Sequence, residues 1–342
     1  MKNIVRYISL SLLSAVLLAG CCIHEWPEPP AKVDFRLVTE FNTDMTVYNH
    51  PYEGRSVEIE TKGKLESGIM RYTIRAYPLN ISSIYSEEFV FTFDLGETDY
   101  NQEFDLALVP GEYNLMVWAD LTADGKTYHY DVSDFGGIRL QGDPHPANTN
   151  YRDAFRGTKQ ITLISDIYDR LPETYIVEMR RPLAKFEFLT NDVQEFLEKE
   201  ATRLQSRADS NGAMPDTRLA VEDYNVKFFY VGFMPFEYSM HTDRPVDSST
   251  NVIFESKMSR LSESEATLGF DYVFTQPDGN DIDLQIGIYD EDGMQLSLTD
   301  VIRVPLWRDV HTVVRGSFLM SDASGGVTIN PEYDGDHNLY FP

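Results

Sequence analysis

The sequence predicts an all-β chain, mainly antiparallel, folded as two tandem sandwich domains with one short helix in the second. Three observations carry this expectation. Apolar and polar residues alternate in many short runs, and turn residues separate those runs. The length, 342 residues, suits about two domains. A hydrophobic fraction of 42%, with 20 Tyr and 20 Phe, supplies enough apolar surface for sizeable cores, which excludes global disorder.

Residues 1–20 read as a secretory signal. Lys2 and Arg6 form a basic tip, and Ile8 to Leu18 is an apolar stretch too short for a permanent membrane span. The ending Leu18-Ala19-Gly20-Cys21 resembles a bacterial lipobox, in which Cys21 becomes the acylated first residue. Each buried CH₂ contributes about 0.8 kcal/mol to membrane attachment, so several acyl chains on one cysteine hold a folded body firmly. The alternatives are a plain cleaved signal, or Cys22 as the lipid site. Residues 21–31, rich in proline and acid from Trp26-Pro27 to Pro29-Pro30, read as an extended tether.

The first domain is expected over residues 32–182. Val33, Phe35, Leu37, Thr39 and Phe41 alternate with polar residues, as do Phe89, Phe91 and Phe93, then Phe104, Leu106 and Leu108. A second domain over residues 183–342 repeats the habit, in Ala184, Phe186 and Phe188, in Leu268 to Phe274, and in Ile282 to Ile288. Such alternation marks strands with one buried face. Pro110-Gly111, Asp124-Gly125, Asp292-Gly293 and Asp334-Gly335 supply the turns. The short helix is expected after Asp192, a candidate cap, with Glu195 three residues on and Val193, Phe196, Leu197 and Leu204 on one side. Ser206 to Thr217 reads as a polar loop.

Charge and cysteine content narrow the function. The net charge is −26, and loss of residues 1–20 with Lys2 and Arg6 makes it −28, so nucleic acid is excluded as a partner. Cys21 and Cys22 are the only cysteines, which rules out both disulfides in the body and cysteine-ligated zinc. His24, His50, His129, His145, His241, His311 and His337 show no metal-site spacing and read as scattered surface or strand positions. No nucleophile elbow or phosphate-binding loop occurs, so no catalytic residue and no cofactor is assigned. Calcium is the least remote metal, at Asp278, Asp281 and Asp283 or at Asp290, Glu291 and Asp292. The spacing lacks a closing bidentate glutamate, and solvated hairpin turns explain these acids better. Tyr128, Tyr130 and Phe135 form a candidate glycan platform, against strand packing as the plainer explanation.

Several segments in order carry a family likeness. They are Pro110-Gly111-Glu112-Tyr113-Asn114-Leu115-Met116-Val117-Trp118-Ala119-Asp120, then Tyr130 to Phe135, Asn148 to Thr158, and Arg181-Pro182-Leu183-Ala184-Lys185-Phe186-Glu187-Phe188. With the lipobox, this order resembles the Bacteroidales fimbrillins and FimB-like fimbrial-anchor lipoproteins, subunits of type V pili. The resemblance implies two transthyretin-like sandwiches, no enzymatic activity, and a lipid-anchored place at the outer-membrane surface among other pilin subunits. It also implies that stalk subunits are cut after a basic residue near the N-terminus, whereas anchors keep their lipid. Arg36 and Arg55 are the first arginines after the signal: Arg36 falls within the first alternating strand, Arg55 in a loop-like stretch. The end, Asn338-Leu339-Tyr340-Phe341-Pro342, reads either as a closing native strand or as a donated one. A surface lipoprotein that binds glycan or host protein without polymerising is the competing expectation.

Overall fold

The computed structural model describes residues 31–50, 65, 67–80, 86–97, 99–165, 172–211 and 219–321. The first sandwich faces a three-stranded sheet against a four-stranded one. The smaller sheet runs β10 (Glu173–Met179), β1 (Val33–Phe41), β5 (Glu103–Leu108). The larger runs β4 (Glu87–Asp94), β3 (Ile69–Pro78), β6 (Gly111–Thr122), β9 (Ala154–Leu163). Alternation chooses the inner faces: Phe35 and Leu37 of β1, Phe104 and Leu106 of β5, and Leu115 and Val117 of β6 share one core.

The second sandwich sets β16 (Ser259–Arg260), β17 (Ala266–Phe274), β11 (Leu183–Thr190), β21 (Val310–Gly316) and β2 (Thr46–His50) in one sheet. Opposite lie β15 (Ile253–Lys257), β12 (Asn225–Tyr230), β18 (Asn280–Tyr289) and β19 (Gln295–Leu298), with β20 (Ile302–Leu306) also paired to β18. Phe186, Phe228, Leu284 and Val304 lie in its core. A fifth sheet of β14 (Arg244–Ser249), β13 (Met234–Ser239), β8 (Ile138–Leu140) and β7 (Tyr130–Asp131) draws strands from both halves. Three of the described pairings are parallel: β1 with β10, β11 with β21, and β2 with β21.

The chain changes sandwich at Arg181-Pro182, and β11 begins at Leu183. Yet β2, from the N-terminal stretch, is an edge strand of the second sandwich. Between the halves sits a third core of Met116, Trp118, Tyr130, Phe135, Tyr238 and Phe274. It explains why β6 is buried on both faces from Leu115 onward, a continuous apolar run where a one-sided strand would alternate.

The helix α1 (Val193–Asn211) spans 19 residues and is therefore not short. Val193 and Phe196 are buried, as predicted, and Phe196 meets Tyr224 edge-on at 4.9 Å. The expected loop at Ser206 is helical as far as Asn211, while 212–218 lie outside the described residues. Side-chain pairs four residues apart support the extra turn: Gln205 Nε2 donates to Asp209 Oδ1 at 2.8 Å, and Ser206 Oγ to the Thr202 carbonyl at 3.0 Å. Asp192 does not use its carboxylate as the predicted helix cap. Nearly buried in the β11–α1 turn, it accepts instead from the Leu319 and Met320 amides at 3.0 and 2.9 Å.

Candidate functional site

Among the described residues, the two sheets of the first sandwich close on one side and stay open on the other. On the closed side, Arg156 of β9 and Arg180, just after β10, exchange two backbone hydrogen bonds of 2.8 and 3.0 Å. A Cβ on Gly157 would strike Val177 and the Glu178 carbonyl, so the approach there needs glycine. On the open side, β4 pairs only with β3 and β5 only with β1 among the described residues. No residue of β4 is fully buried, and Phe89, Phe91 and Phe93 point inward half-covered. Phe91 and Phe93 lie 4.8 and 5.9 Å from the Phe104 ring. Among the described residues, these two edges have no further strand partner and flank an incompletely covered phenylalanine row, the geometry that strand addition uses.

The segment from Val33 to His50 runs through both sandwiches. Strand β1 is the middle strand of its sheet, and Arg36 there bonds Asp105 at 2.8 Å and Glu103 at 3.2 Å across the strand pair. Phe41 then packs edge-on against Phe155 at 5.0 Å. At the crossing, Arg181 donates to the Thr43 and Asp44 carbonyls at 3.0 and 3.3 Å and grips Asp153 in a fork, Nε to Oδ1 2.9 Å and Nη2 to Oδ2 2.9 Å. Both members of this pair are 1% exposed. Thr46 then donates to the Asp309 carbonyl, and β2 continues alongside β21.

A second buried charge cluster holds the halves together. Asp271 accepts from Arg152, from the Tyr230 hydroxyl at 2.8 Å and from the Tyr272 amide at 2.7 Å, with His145 Nε2 2.6 Å away. Burial works against this carboxylate. The Arg152 charge, then His145 and Tyr230, outweigh it and hold its pKa below the usual carboxylate range. At the front of the junction Asp243 pairs with both Arg156 and Arg308. These residues line a cleft of ≈ 760 Å³ together with Glu40, Lys159 and Arg180, a mixed-charge surface with no dominant sign.

The chain belongs to the family of unknown function DUF6562. The match runs over residues 31–341. No curated protein matches the chain. Among solved structures, the DUF6562 chain is similar to a candidate adhesin from Bacteroides ovatus, at 9% identity and TM-score 0.43, covering 78% of this chain and 77% of that one. It is similar also to the fimbrial anchor protein Mfa2 from Porphyromonas gingivalis, at 12% identity and TM-score 0.40, covering 78% and 82%. A candidate cell adhesion protein from Bacteroides eggerthii gives 8% identity and TM-score 0.43, covering 88% and 91%. At these values the likenesses carry no functional weight.

Of the residues singled out in the DUF6562 sequence, Cys21, Arg55 and Asn338 to Pro342 lie outside the described residues, whereas Arg36 sits within a strand paired on both sides. The aromatic platform is not there. Tyr130 is buried and donates its hydroxyl to the Arg152 carbonyl at 2.6 Å, Phe135 is fully buried, and the Arg71 guanidinium stacks 3.9 Å above Tyr128. Tyr130 and Phe135 belong to the junction core, and Tyr128 is half-buried beneath Arg71, so no aromatic face is offered.

Two of the acidic-turn carboxylates, Asp283 and Asp290, are likewise engaged in the protein. Asp283 makes a fork with Arg303 at 3.0 and 3.3 Å. Asp290 accepts from the Met294 amide and reaches Arg203 of α1 at 3.3 Å. Among the described residues no group of three His, Cys, Asp or Glu side chains is placed to hold a metal. His145 departs from the surface or strand position expected of it, lying in a loop and packed between Tyr230 and Phe254 beside Asp271. The sequence reading missed Arg152, Asp153, Arg181 and Asp271 altogether. The one available signal was the position of Arg152-Asp153 and Arg181 inside the ordered family segments.

Proposed function

We propose that this chain is a non-enzymatic surface lipoprotein, anchored through Cys21 in the outer membrane, that serves as a subunit or anchor of a pilus-like fibre in cell adhesion. It joins related subunits by strand addition. The observation that carries this reading is the open side of the first sandwich, where the β4 and β5 edges flank Phe89, Phe91 and Phe93. The lipobox-like ending and the ordered segments that resemble those of fimbrillins support the same reading. Among the described residues no helix is long and apolar enough to cross a membrane. Arg55 is the proposed processing site if the chain serves in the stalk, and Arg36 the lesser candidate.

The test uses the absence of cysteine after Cys22. Val90 on β4 is 53% exposed, and Val90→Cys, made together with Cys22→Ser, places the one free thiol on that strand. Maleimide is expected to label it fully in the purified monomer and poorly on fibre-bearing cells, where an added strand covers it. Mass spectrometry is expected to find acyl chains on Cys21. Equal labelling in both states, or an unmodified Cys21, defeats the proposal.

A further inference from the structure

A second pocket, ≈ 360 Å³, lies where the two halves meet on another face of the molecule. Leu140 and the following loop come from the first half, while Met234, Phe236 and Ser249 to Ile253 come from β13, β14 and the turn into β15. The pocket therefore exists only when the junction is assembled.

Its chemistry is divided. One part is apolar: Leu140, Phe236 and Ile253, the last 45% exposed at the rim. The other is uncharged and polar, with Thr250 and Asn251, plus the single acid Asp143. The side chains of Asp143, Thr250 and Asn251 have no hydrogen-bond partner among the described residues, so their donors and acceptors are available to a ligand. Asn251 has φ +58°, a conformation that an asparagine tolerates and that fixes the turn carrying it. His145 forms part of the wall and is immobilised from behind, with Nε2 2.6 Å from Asp271 and 3.0 Å from Arg152. No lysine or arginine lines the pocket, and nearby Arg139 is committed to Glu237 at 2.6 Å.

We propose that this pocket binds a neutral sugar residue of a glycan. A pyranose presents one face of C–H groups and an equatorial rim of hydroxyls. It needs an apolar wall and a few convergent polar groups, which is the division found here. The volume suits one ring with part of a neighbour. An anionic sugar would meet Asp143 with no free cation to offset it, in a chain of net charge −26, so uronates and sialates are rejected. The residues differ from those of the free β4 and β5 edges, so binding here does not depend on the assembly reading.

The experiment is a glycan array of neutral, N-acetylated and acidic glycans probed with the purified body, residues 21–342, followed by calorimetry on the strongest neutral hit. Binding is expected for neutral or N-acetylated glycans. Affinity is expected to fall at least tenfold in Phe236→Ala and in Asn251→Gly, with Tyr128→Ala unchanged. The glycine variant keeps the left-handed turn while deleting the amide, so its fold is retained even if Phe236→Ala is destabilised. A blank array, a preference for acidic glycans, or a neutral hit that survives Asn251→Gly at full affinity overturns the proposal.

Discussion

Asp153→Asn isolates the contribution of the buried fork at the domain crossing. The substitution keeps the shape and removes the charge that Arg181 faces at 2.9 Å. Arginine cannot shed its proton, so a full guanidinium remains at a site 1% exposed. Breaking such a pair on one side costs about 3–5 kcal/mol. Here Arg181 keeps the Thr43 and Asp44 carbonyls, and Asp309 stands 3.6 Å from Nη1, so the lower end applies, about 3 kcal/mol. That is roughly a hundredfold in the folding equilibrium, against a total stability of about 5–15 kcal/mol. Urea unfolding followed through the fluorescence of Trp118, buried in the junction core, should show an earlier midpoint for the junction. Asp153→Leu combined with Arg181→Met should cost much less than the two singles added, because both buried charges of the fork are removed together and only the partly exposed Asp309 loses a neighbour. A loss below about 1 kcal/mol for Asp153→Asn, or strict additivity in the double variant, refutes the assignment of the fork as a junction clamp.

Three further outcomes are expected. Gly157→Ala should destabilise by about 1–3 kcal/mol in urea titration, since its methyl meets Val177 and the Glu178 carbonyl where β9 and β10 close the sandwich. A midpoint equal to wild type contradicts that closure. His129 is held down to about 4 by burial and then by the charge of Arg152. The unfolded chain binds that proton near pH 6.5, so stability is complete above 6.5 and declines by about 1–2 kcal/mol, after solvent screening, as pH falls toward 4. His129→Gln should flatten this slope, and an unchanged slope assigns the pH dependence to other groups. Finally, a trypsin-like protease should spare the Arg36–Leu37 bond of the folded protein, because β1 is hydrogen-bonded on both sides. N-terminal sequencing should place any processed start after Arg55, abolished by Arg55→Gln. A start at Leu37 contradicts this.

The strands were legible because their information is local. Burying one face forces alternation, so Phe35 and Leu37, or Ile282 to Ile288, declare their strand and inner face without reference to any partner. The position of the helix was legible for the same reason. Its length was not, because the polar stretch from Ser206 continues the helix through pairs four residues apart and apolar spacing gives no sign of it.

Sequence alone therefore determined the all-β class, together with the alternating strands and the faces they bury. Only the tertiary structure decided that β2 crosses to the second sandwich, that Tyr130 and Phe135 are core, and that Arg152, Asp153, Arg181 and Asp271 form buried pairs. Each of those facts joins residues far apart in the chain. A period of two tells a strand which face to bury but nothing about which distant strand will cover the other, and a charge reveals no partner until the chain brings one within 3 Å.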